Sequence, residues 1–176
     1  MPCAAAHQGD RSEAGVFKFH DPGRLVDGDL ELVLYERYWG DPAQGKVPAY
    51  RFLMTRVRDG EELGSIELRV GNTGTIVLYA GHIGYGVEPL HRGHHYAARS
   101  VRLLLPLAHR HGLDPVWITC NPDNLASRRT CELAGAEFVE VVDVPPDNDM
   151  YRQGERKKCR YRLDVPAAGR VSTARG

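Results

Sequence analysis

The sequence lacks the features that mark membrane-bound, secreted or polyanion-binding proteins. Its 23 basic and 23 acidic side chains cancel, so the overall charge predicts no nucleic-acid partner. No stretch reaches the roughly 18 apolar residues that a membrane span needs. The first residues, Met-Pro-Cys-Ala-Ala-Ala-His, lack the basic and apolar regions of a signal peptide. We therefore expect a cytoplasmic protein with neither membrane nor nucleic-acid partners.

Cysteine is scarce, and its spacing argues against two common uses. The four cysteines include no Cys-x-x-Cys pair, which favours reduced thiols over disulfides or a zinc site. Five of the eight histidines fall between His91 and His111, but the two groups within this stretch are separated by several helical turns. No cysteine pattern or His-Glu pair completes a tetrahedral set, so we expect no metal.

The residues that are present suffice for one folded domain. The chain has 176 residues, of which 42% are hydrophobic. Both ends lack hydrophobic periodicity, so we predict flexible tails over 1–16 and 166–176 and a single domain over 17–165.

Hydrophobic patterning predicts that the first part of this domain consists of strands and that in the second part strands alternate with helices. Alternation predicts strands that start at Leu30, Ala49 and Leu63. The later pattern predicts a strand, helix, strand, helix and two strands over 79–87, 93–111, 115–120, 123–134, 136–142 and 157–165. Pro106 predicts a kink near Arg102 or an early end to the first helix.

The last predicted strand alternates cleanly. One face carries Cys159, Tyr161, Leu163 and Val165, and the other carries Lys158, Arg160, Arg162 and Asp164. Because the charged side has no interleaved aromatic residues, we interpret it as a solvated face rather than a nucleic-acid site.

The most informative stretch is 87–97, where a strand breaks at Pro89 into a tight loop that begins a helix. The first turn of such a helix carries unpaired N–H groups and the positive end of the helix dipole, so it can hold an anion such as a pyrophosphate. Arg92 adds charge, and Gly93 lets the backbone approach a ligand. Junctions of this kind also occur for purely structural reasons.

This stretch resembles the acetyl-CoA loop of the GNAT N-acetyltransferases, whose pattern is Arg/Gln-x-x-Gly-x-Gly/Ala. Arg92-Gly-His-His-Tyr-Ala97 matches the pattern at both ends but has His95 at the central glycine. Downstream, Asn124-Leu-Ala-Ser127 and Gly135-Ala-Glu-Phe138 resemble the family's Asn-x-x-Ser/Ala and Gly-Phe signature. The style is that of the branch containing ribosomal-protein N-terminal acetyltransferases.

The resemblance implies an α/β fold, with a GNAT-like mixed, mostly antiparallel central sheet of about 6–7 strands flanked by helices. The family commonly has two helices between its first two strands. Here Arg37–Pro48 is too short and too broken by proline and glycine for them, so we expect this pair to be shortened or absent. The acceptor cleft is then unusually open or covered by another segment or subunit, which leaves a homodimer as an open alternative.

The resemblance also implies the reaction. An acetyl group would move from acetyl-CoA, the co-substrate, to a primary amine by direct attack on the thioester. The acceptor would be a small molecule or a protein N-terminus, and a non-catalytic acyl-CoA-binding module of the same fold is the alternative. The residues implied to bind acetyl-CoA are Tyr85, Gly86, Val87, Arg92, Gly93, His94, His95, Tyr96, Ala97, Asn124 and Ser127.

Two histidines leave alternatives open. His95 can adopt a positive φ at a cost of about 1 kcal/mol, or its imidazole can lean toward the phosphates. His82 is the first candidate for the catalytic base, because its unperturbed pKa of ~6.5 suits proton removal near neutrality. The alternative is a histidine whose ring is satisfied within the sheet. Glu88 is a weaker candidate base.

The leaving thiolate needs a proton donor. Many family members have a tyrosine general acid where this chain has Cys131, which can be either a donor or a small buried thiol. Tyr151 is the other candidate donor. Asp147 and Asp149 in the same loop could attract a cationic amine, although the loop also fits an ordinary polar hairpin.

Overall fold

A computed structural model describes residues 17–167 of the protein, so the predicted tails lie outside the described residues, apart from 166 and 167. The described part contains one sheet of eight strands. The strands are β1 (Leu25–Asp27), β2 (Leu30–Tyr38), β3 (Ala49–Arg56), β4 (Glu62–Arg69), β5 (Ile83–Val87), β6 (Val116–Cys120), β7 (Glu137–Asp143) and β8 (Lys157–Leu163). The helices are α1 (Tyr96–Arg110), α2 (Leu125–Ala134) and the short α3 (Asp149–Arg152).

The sheet is mostly antiparallel, in the order β1-β2-β3-β4-β5-β6-β8-β7. Strands β1 to β5 pair antiparallel in chain order, β6 pairs with β8 and β8 with β7, while β5 and β6 form the parallel pair. This confirms the predicted fold class, with one strand more than the upper end of the predicted range. The short β1, three residues long, precedes the first predicted strand.

Helix α1 packs one apolar face against the sheet. Val101, Leu104 and Ala108 are fully buried, as their spacing predicts. The predicted early end at Pro106 is wrong, since α1 continues to Arg110. Leu107 and Ala108, which follow the proline, are buried in the core and hold this end of the helix on the sheet. None of the helices in the described part of the chain is long and apolar enough to cross a membrane.

The connection between β2 and β3 contains a single 3-10 turn, Pro42–Gln44, in place of two helices. The Asp41 side chain begins this turn by accepting a hydrogen bond from the N–H of Ala43 at 3.1 Å. The predicted loss of the helical pair is therefore confirmed.

The strand predicted to start at residue 79 begins at Ile83 instead. A π-helical turn, Ile76–Ala80, takes the place of its first residues. Side chains of Thr119, Arg160 and Arg69 donate hydrogen bonds to three carbonyl groups of this turn, at 2.7 to 3.0 Å. These donors come from distant strands, so local alternation could not predict the turn.

The predicted solvated face of β8 is wrong for two of its four residues, whereas Arg162 and Asp164 are exposed as expected. Lys158 and Arg160 are only 7% and 6% exposed. The guanidinium of Arg160 lies 4.0 Å from the ring centroid of Trp117, and its Nε donates to the carbonyl of Val77. Lys158 Nζ donates to Asn121 Oδ1 at 2.9 Å. The π-helical turn and the chain around β8 cover both cations.

Candidate active site

The strands of the parallel pair separate directly after they meet. Strand β5 pairs with β6 at one position, Ile83 with Ile118, whereas all five of its residues pair with β4. Alternate residues of an antiparallel strand bond to their neighbour. The carbonyl of His82 accepts a hydrogen bond from β4, so every second residue after His82 also bonds to β4. Tyr85 and Val87 lie between those residues, and their peptide groups point away from β4. They face an opening between β5 and β6, which we call the strand gap.

Helix α1 begins beside the end of β5 with free backbone donors. Its first intrahelical hydrogen bond runs from the N–H of Arg99 to the carbonyl of His95 at 3.0 Å. The N–H groups of Tyr96, Ala97 and Ala98 precede that bond, and no side chain caps the helix. Together with the helix dipole, they form a site that favours an anion.

Two cavities lie next to the strand gap and share part of their lining. The small cavity, about 280 Å³, reaches the gap at Gly84, Tyr85, Cys120 and Ser127. The large cavity, about 600 Å³, lies over β3 and β4 and has Arg51 and Glu67 on its floor. Both cavities are lined by Arg69, Ala80, Met150 and Gln153. Arg69 therefore marks the junction at which molecules bound in the two cavities would meet.

Three segments wall the large cavity. They are residues 44–47 of the β2–β3 connection, part of the π-helical turn, and residues 147–153 around α3. The walls of the large cavity therefore come from these segments, without a helical pair between β2 and β3.

The family model of the acetyltransferase (GNAT) domain matches residues 33–137, more than half of the chain. The chain belongs to the GNAT acetyltransferase family. The matched part contains β5, the start of α1 and the Asn124 to Cys131 part of α2. The general chemistry of this GNAT protein is therefore acetyl transfer. Comparison of its sequence with curated proteins gives no match.

Several solved structures share the fold of this GNAT protein. A protein from Vibrio cholerae assigned as a ribosomal-protein-serine acetyltransferase has a TM-score of 0.59 at 15% identity, with 84% of this chain and 100% of that chain covered. The ribosomal-protein-S5-alanine acetyltransferase from Vibrio fischeri has a TM-score of 0.53 at 15% identity, with 66% and 62% covered. The microcin C7 self-immunity acetyltransferase MccE, in complex with acetyl-CoA and AMP, has a TM-score of 0.52 at 14% identity, with 66% and 61% covered. At these identities the likeness shows a common fold.

His95 adopts the left-handed conformation that a glycine would adopt easily. Its φ of 59° is the one positive value of a non-glycine residue within 17–167. The backbone thus follows the first of the two expected alternatives. The side chain is exposed, and a contact between its imidazole and phosphate stays a prediction.

The rest of the loop divides into exposed and buried side chains. Arg92 is exposed, and its Nε donates to the carbonyl of Val87 at 3.2 Å. His94 is exposed and stacks on the ring of Tyr96 at 5.5 Å between centroids. The side chains of Tyr96 and Ala97 are buried, so these two residues would meet a ligand through their backbone N–H groups.

Tyr85 links the strand gap to helix α2. Asn124 caps that helix by accepting a hydrogen bond from the N–H of Ser127 at 3.0 Å. The hydroxyls of Ser127 and Tyr85 are 2.8 Å apart. Burial raises the pKa of Tyr85, which keeps its phenol protonated.

Cys131 is fully buried behind Tyr85, with its Sγ 3.7 Å from the phenol oxygen. Its hydrogen bond to Cys120 and its burial raise the pKa of the Cys131 thiol. Cys120, which sequence reasoning did not single out, lines the small cavity. Cys131 itself lines neither cavity, a placement that fits the buried-thiol alternative.

His82 is also fully buried, and both of its ring nitrogens are bonded. Nδ1 accepts a hydrogen bond from the N–H of Trp117 at 2.9 Å, so Nε2 carries the proton and donates to Asn72 Oδ1 at 3.0 Å. Burial lowers the pKa of His82 to about 4. This placement fits the alternative of a histidine satisfied in the sheet, at the point where the strand gap begins.

Glu88 and Tyr151 lie away from the junction. Glu88 is exposed after the end of β5, and the ring of Tyr151 lies under the guanidinium of Arg156 at 3.8 Å. Neither lines the cavities within the described residues. Two neighbours of Tyr151, Met150 and Gln153, take part in the lining instead.

Sequence reasoning missed Glu67 and Arg69, the charged side chains at the junction. Both lie on β4, and their carboxylate and guanidinium form a close ion pair. Arg69 also donates to the carbonyls of Ala80 and Gly81, at 2.9 and 3.1 Å. In the sequence they are ordinary polar positions of an alternating strand; only the pairing of β4 with β5 brings them to the gap. Within the described residues, no three His, Cys, Asp or Glu side chains form a group that could hold a metal.

Proposed function

We propose that this chain transfers the acetyl group of acetyl-CoA to a primary amine by direct attack on the thioester. The observation that supports this most is the meeting of the two cavities at Arg69, beside the strand gap. A thioester in the gap would be reached by an amine from the large cavity. The two substrates could then react without a covalent enzyme intermediate.

The strand gap and the start of α1 are complementary to acetyl-CoA. The peptide groups of Tyr85 and Val87 that face the gap can bond to an amide-containing arm laid along β5, apart from the Val87 carbonyl, which accepts a hydrogen bond from Arg92. The N–H groups at the start of α1, with Arg92 and His95 nearby, suit a pyrophosphate. The MccE complex with acetyl-CoA, on a shared fold, supports the same choice of co-substrate.

The large cavity is the proposed acceptor site. Its walls include the carboxylates of Asp147 and Asp149, which would attract a cationic amine. Two of the similar structures are named as ribosomal-protein acetyltransferases, which supports a protein N-terminus as one acceptor. A small amine would fit the same volume.

A direct test measures acetyl-CoA binding by calorimetry and transfer by release of the CoA thiol, with the acetylated product identified by mass spectrometry. The acceptor panel would contain peptides with free N-termini, polyamines, aminoglycosides and amino acids. We expect binding and transfer to at least one of these amines. Binding without any transfer would favour the non-catalytic alternative, and absence of binding would overturn the proposal.

We assign the proton donor for the CoA thiolate to Tyr85 within this proposal. Tyr85 lines the small cavity at the gap, whereas Cys131 and Tyr151 line neither cavity. Replacement Tyr85→Phe should lower kcat about 100-fold, the size of a lost general acid. Steady-state kinetics of Tyr85→Phe, Tyr151→Phe and Cys131→Ala would check this. A larger loss in either of the other two variants would move the assignment to that residue.

Replacement His95→Gly should leave the affinity for acetyl-CoA within about tenfold of wild type, or ~1.4 kcal/mol. It should also raise the free energy of unfolding by about 1 kcal/mol, since glycine adopts the left-handed conformation without strain. The matched variant His95→Ala removes the imidazole but keeps that strain. If the imidazole holds the phosphates, calorimetry will find the same loss of affinity in both variants, whereas complete loss of binding in His95→Gly would contradict the expectation.

A further inference from the structure

A row of side chains crosses the sheet at one level and ends at the strand gap. Glu36 of β2 lies opposite Arg51 of β3, Arg51 opposite Glu67 of β4, and Glu67 opposite Gly84 of β5. Directly opposite residues of antiparallel strands share a face of the sheet. Because the last position is a glycine, Glu67 is the final side chain of the row before the gap.

The carboxylate of Glu67 lies close to the backbone of β5. A Cβ placed on Gly84 would be 3.4 Å from Glu67 Oε1 and 3.0 Å from the Arg69 guanidinium. The Glu67 side chain is 23% exposed, and it lines the large cavity from which the amine would arrive. Among the described carboxylates, it therefore combines access to the acceptor with closeness to the strand that would carry the thioester.

Two arginines fix this carboxylate. Arg51 Nε lies 3.3 Å from Glu67 Oε2, and Arg69 pairs with Oε1. Arg51 is itself held by Glu36 at 2.8 Å. A carboxylate oxygen has lone pairs for more than one donor, so Glu67 can still accept a hydrogen bond from an incoming amine.

We propose that Glu67 is the catalytic residue that takes the proton of the attacking amine, an inference that rests on the proposed acetyl transfer. The amine lone pair forms the N–C bond to the thioester carbonyl, and an amine proton passes to the Glu67 carboxylate, directly or through one water. The C–S bond then breaks, the sulfur keeps its electron pair, and the thiolate takes the Tyr85 proton. Glu67 returns its proton to solvent and Tyr85 regains one, which leaves an amide and the free CoA thiol.

The other candidates are less well placed for this step. The ring of His82 is closed by hydrogen bonds on both nitrogens. Glu88 does not line the cavities, and Asp147 and Asp149 stand on the loop that forms the opposite wall. Those two aspartates can attract an amine, while Glu67 can meet it at the reacting atom.

Glu31 of β2 provides a control, because it also pairs with an arginine, Arg24 at 3.0 Å, but lies outside the row and lines neither cavity. With an acceptor amine that the wild type acetylates, we expect Glu67→Gln to lower kcat about 100-fold. The acetyl-CoA dissociation constant of this variant should change less than threefold. Glu31→Gln should keep kcat within threefold.

Three results separate the possible failures. If the wild type binds acetyl-CoA but acetylates nothing, the proposed function fails before Glu67 is tested. Equal kcat values for Glu67→Gln and Glu31→Gln, in an active wild type, would overturn the role of Glu67 alone. Should Glu67→Gln not fold by circular dichroism, Glu67→Asp keeps the charge and moves the carboxylate back by one methylene; unchanged kcat in that variant would also count against the proposal.

Discussion

Lowering the pH from 7 to 4 should remove about 3 kcal/mol from the free energy of unfolding through His82 alone. Burial lowers the pKa of His82 from 6.5 to about 4 in the folded protein. The unfolded chain therefore binds a proton at a higher pH than the folded chain does. The contribution of His82 is complete above pH 6.5 and is lost as the pH falls toward 4.

Protonation at Nδ1 would also break the hydrogen bond from the N–H of Trp117, which holds β6 where the gap begins. Nearby Arg69 lowers the pKa of His82 further by its positive charge. His111, whose pKa burial likewise lowers to about 4, adds a parallel loss in the wild type. The test must therefore compare variants.

Urea unfolding at several pH values between 7 and 4 would measure the effect. The difference in stability across this range should be about 3 kcal/mol smaller in His82→Gln than in the wild type. If His82→Gln loses as much stability in acid as the wild type, the account of His82 is wrong.

Replacement Gly64→Ala should cost at least about 3 kcal/mol of stability and should weaken acetyl-CoA binding as well. Gly64 has a φ of +153°, which a residue with a side chain rarely adopts. A Cβ there would overlap the carbonyl oxygen of Gly86 and come within 2.9 Å of the Cα of Val87. Both obstacles are backbone atoms of β5, so the strand itself would have to move.

Gly60 supplies the control, since its φ is +71° but nothing lies within 4 Å of its Cβ position. Gly60→Ala should therefore cost only the backbone strain, about 1 kcal/mol, and leave acetyl-CoA binding unchanged. Urea unfolding and calorimetry on both variants would separate strain from displacement of β5. Equal losses in the two variants would show that the overlap with β5 is relieved without cost.

Local signals in the sequence located the elements around the predicted acetyl-CoA loop well. Pro89 ends a strand, Asn124 caps α2, and Gly135 follows the end of that helix, each through chemistry that involves only its own neighbours. The left-handed His95 was likewise within reach, because the residue stands at a position that favours glycine. The shortened β2–β3 connection followed from its proline and glycine content.

Features that depend on register or on distant side chains were not predictable in this way. The π-helical turn is held by residues of β4, β6 and β8, and the burial of Lys158 and Arg160 depends on segments packed over them. Glu67 becomes a site residue only because its partner across the sheet is Gly84. A single sequence gives the alternation of a strand but not which residue stands opposite.

The single pairing of Ile83 with Ile118 has a mechanical consequence. Beyond this pair, no backbone pairing of β5 with β6 joins the two antiparallel halves of the described sheet. The π-helical turn is hydrogen-bonded to side chains of β6 and β8 beside this position. A ligand arm bound along β5 would supply the backbone hydrogen bonds that β6 does not make with β5 there. The co-substrate would then lie as an additional strand that joins the two halves of the sheet.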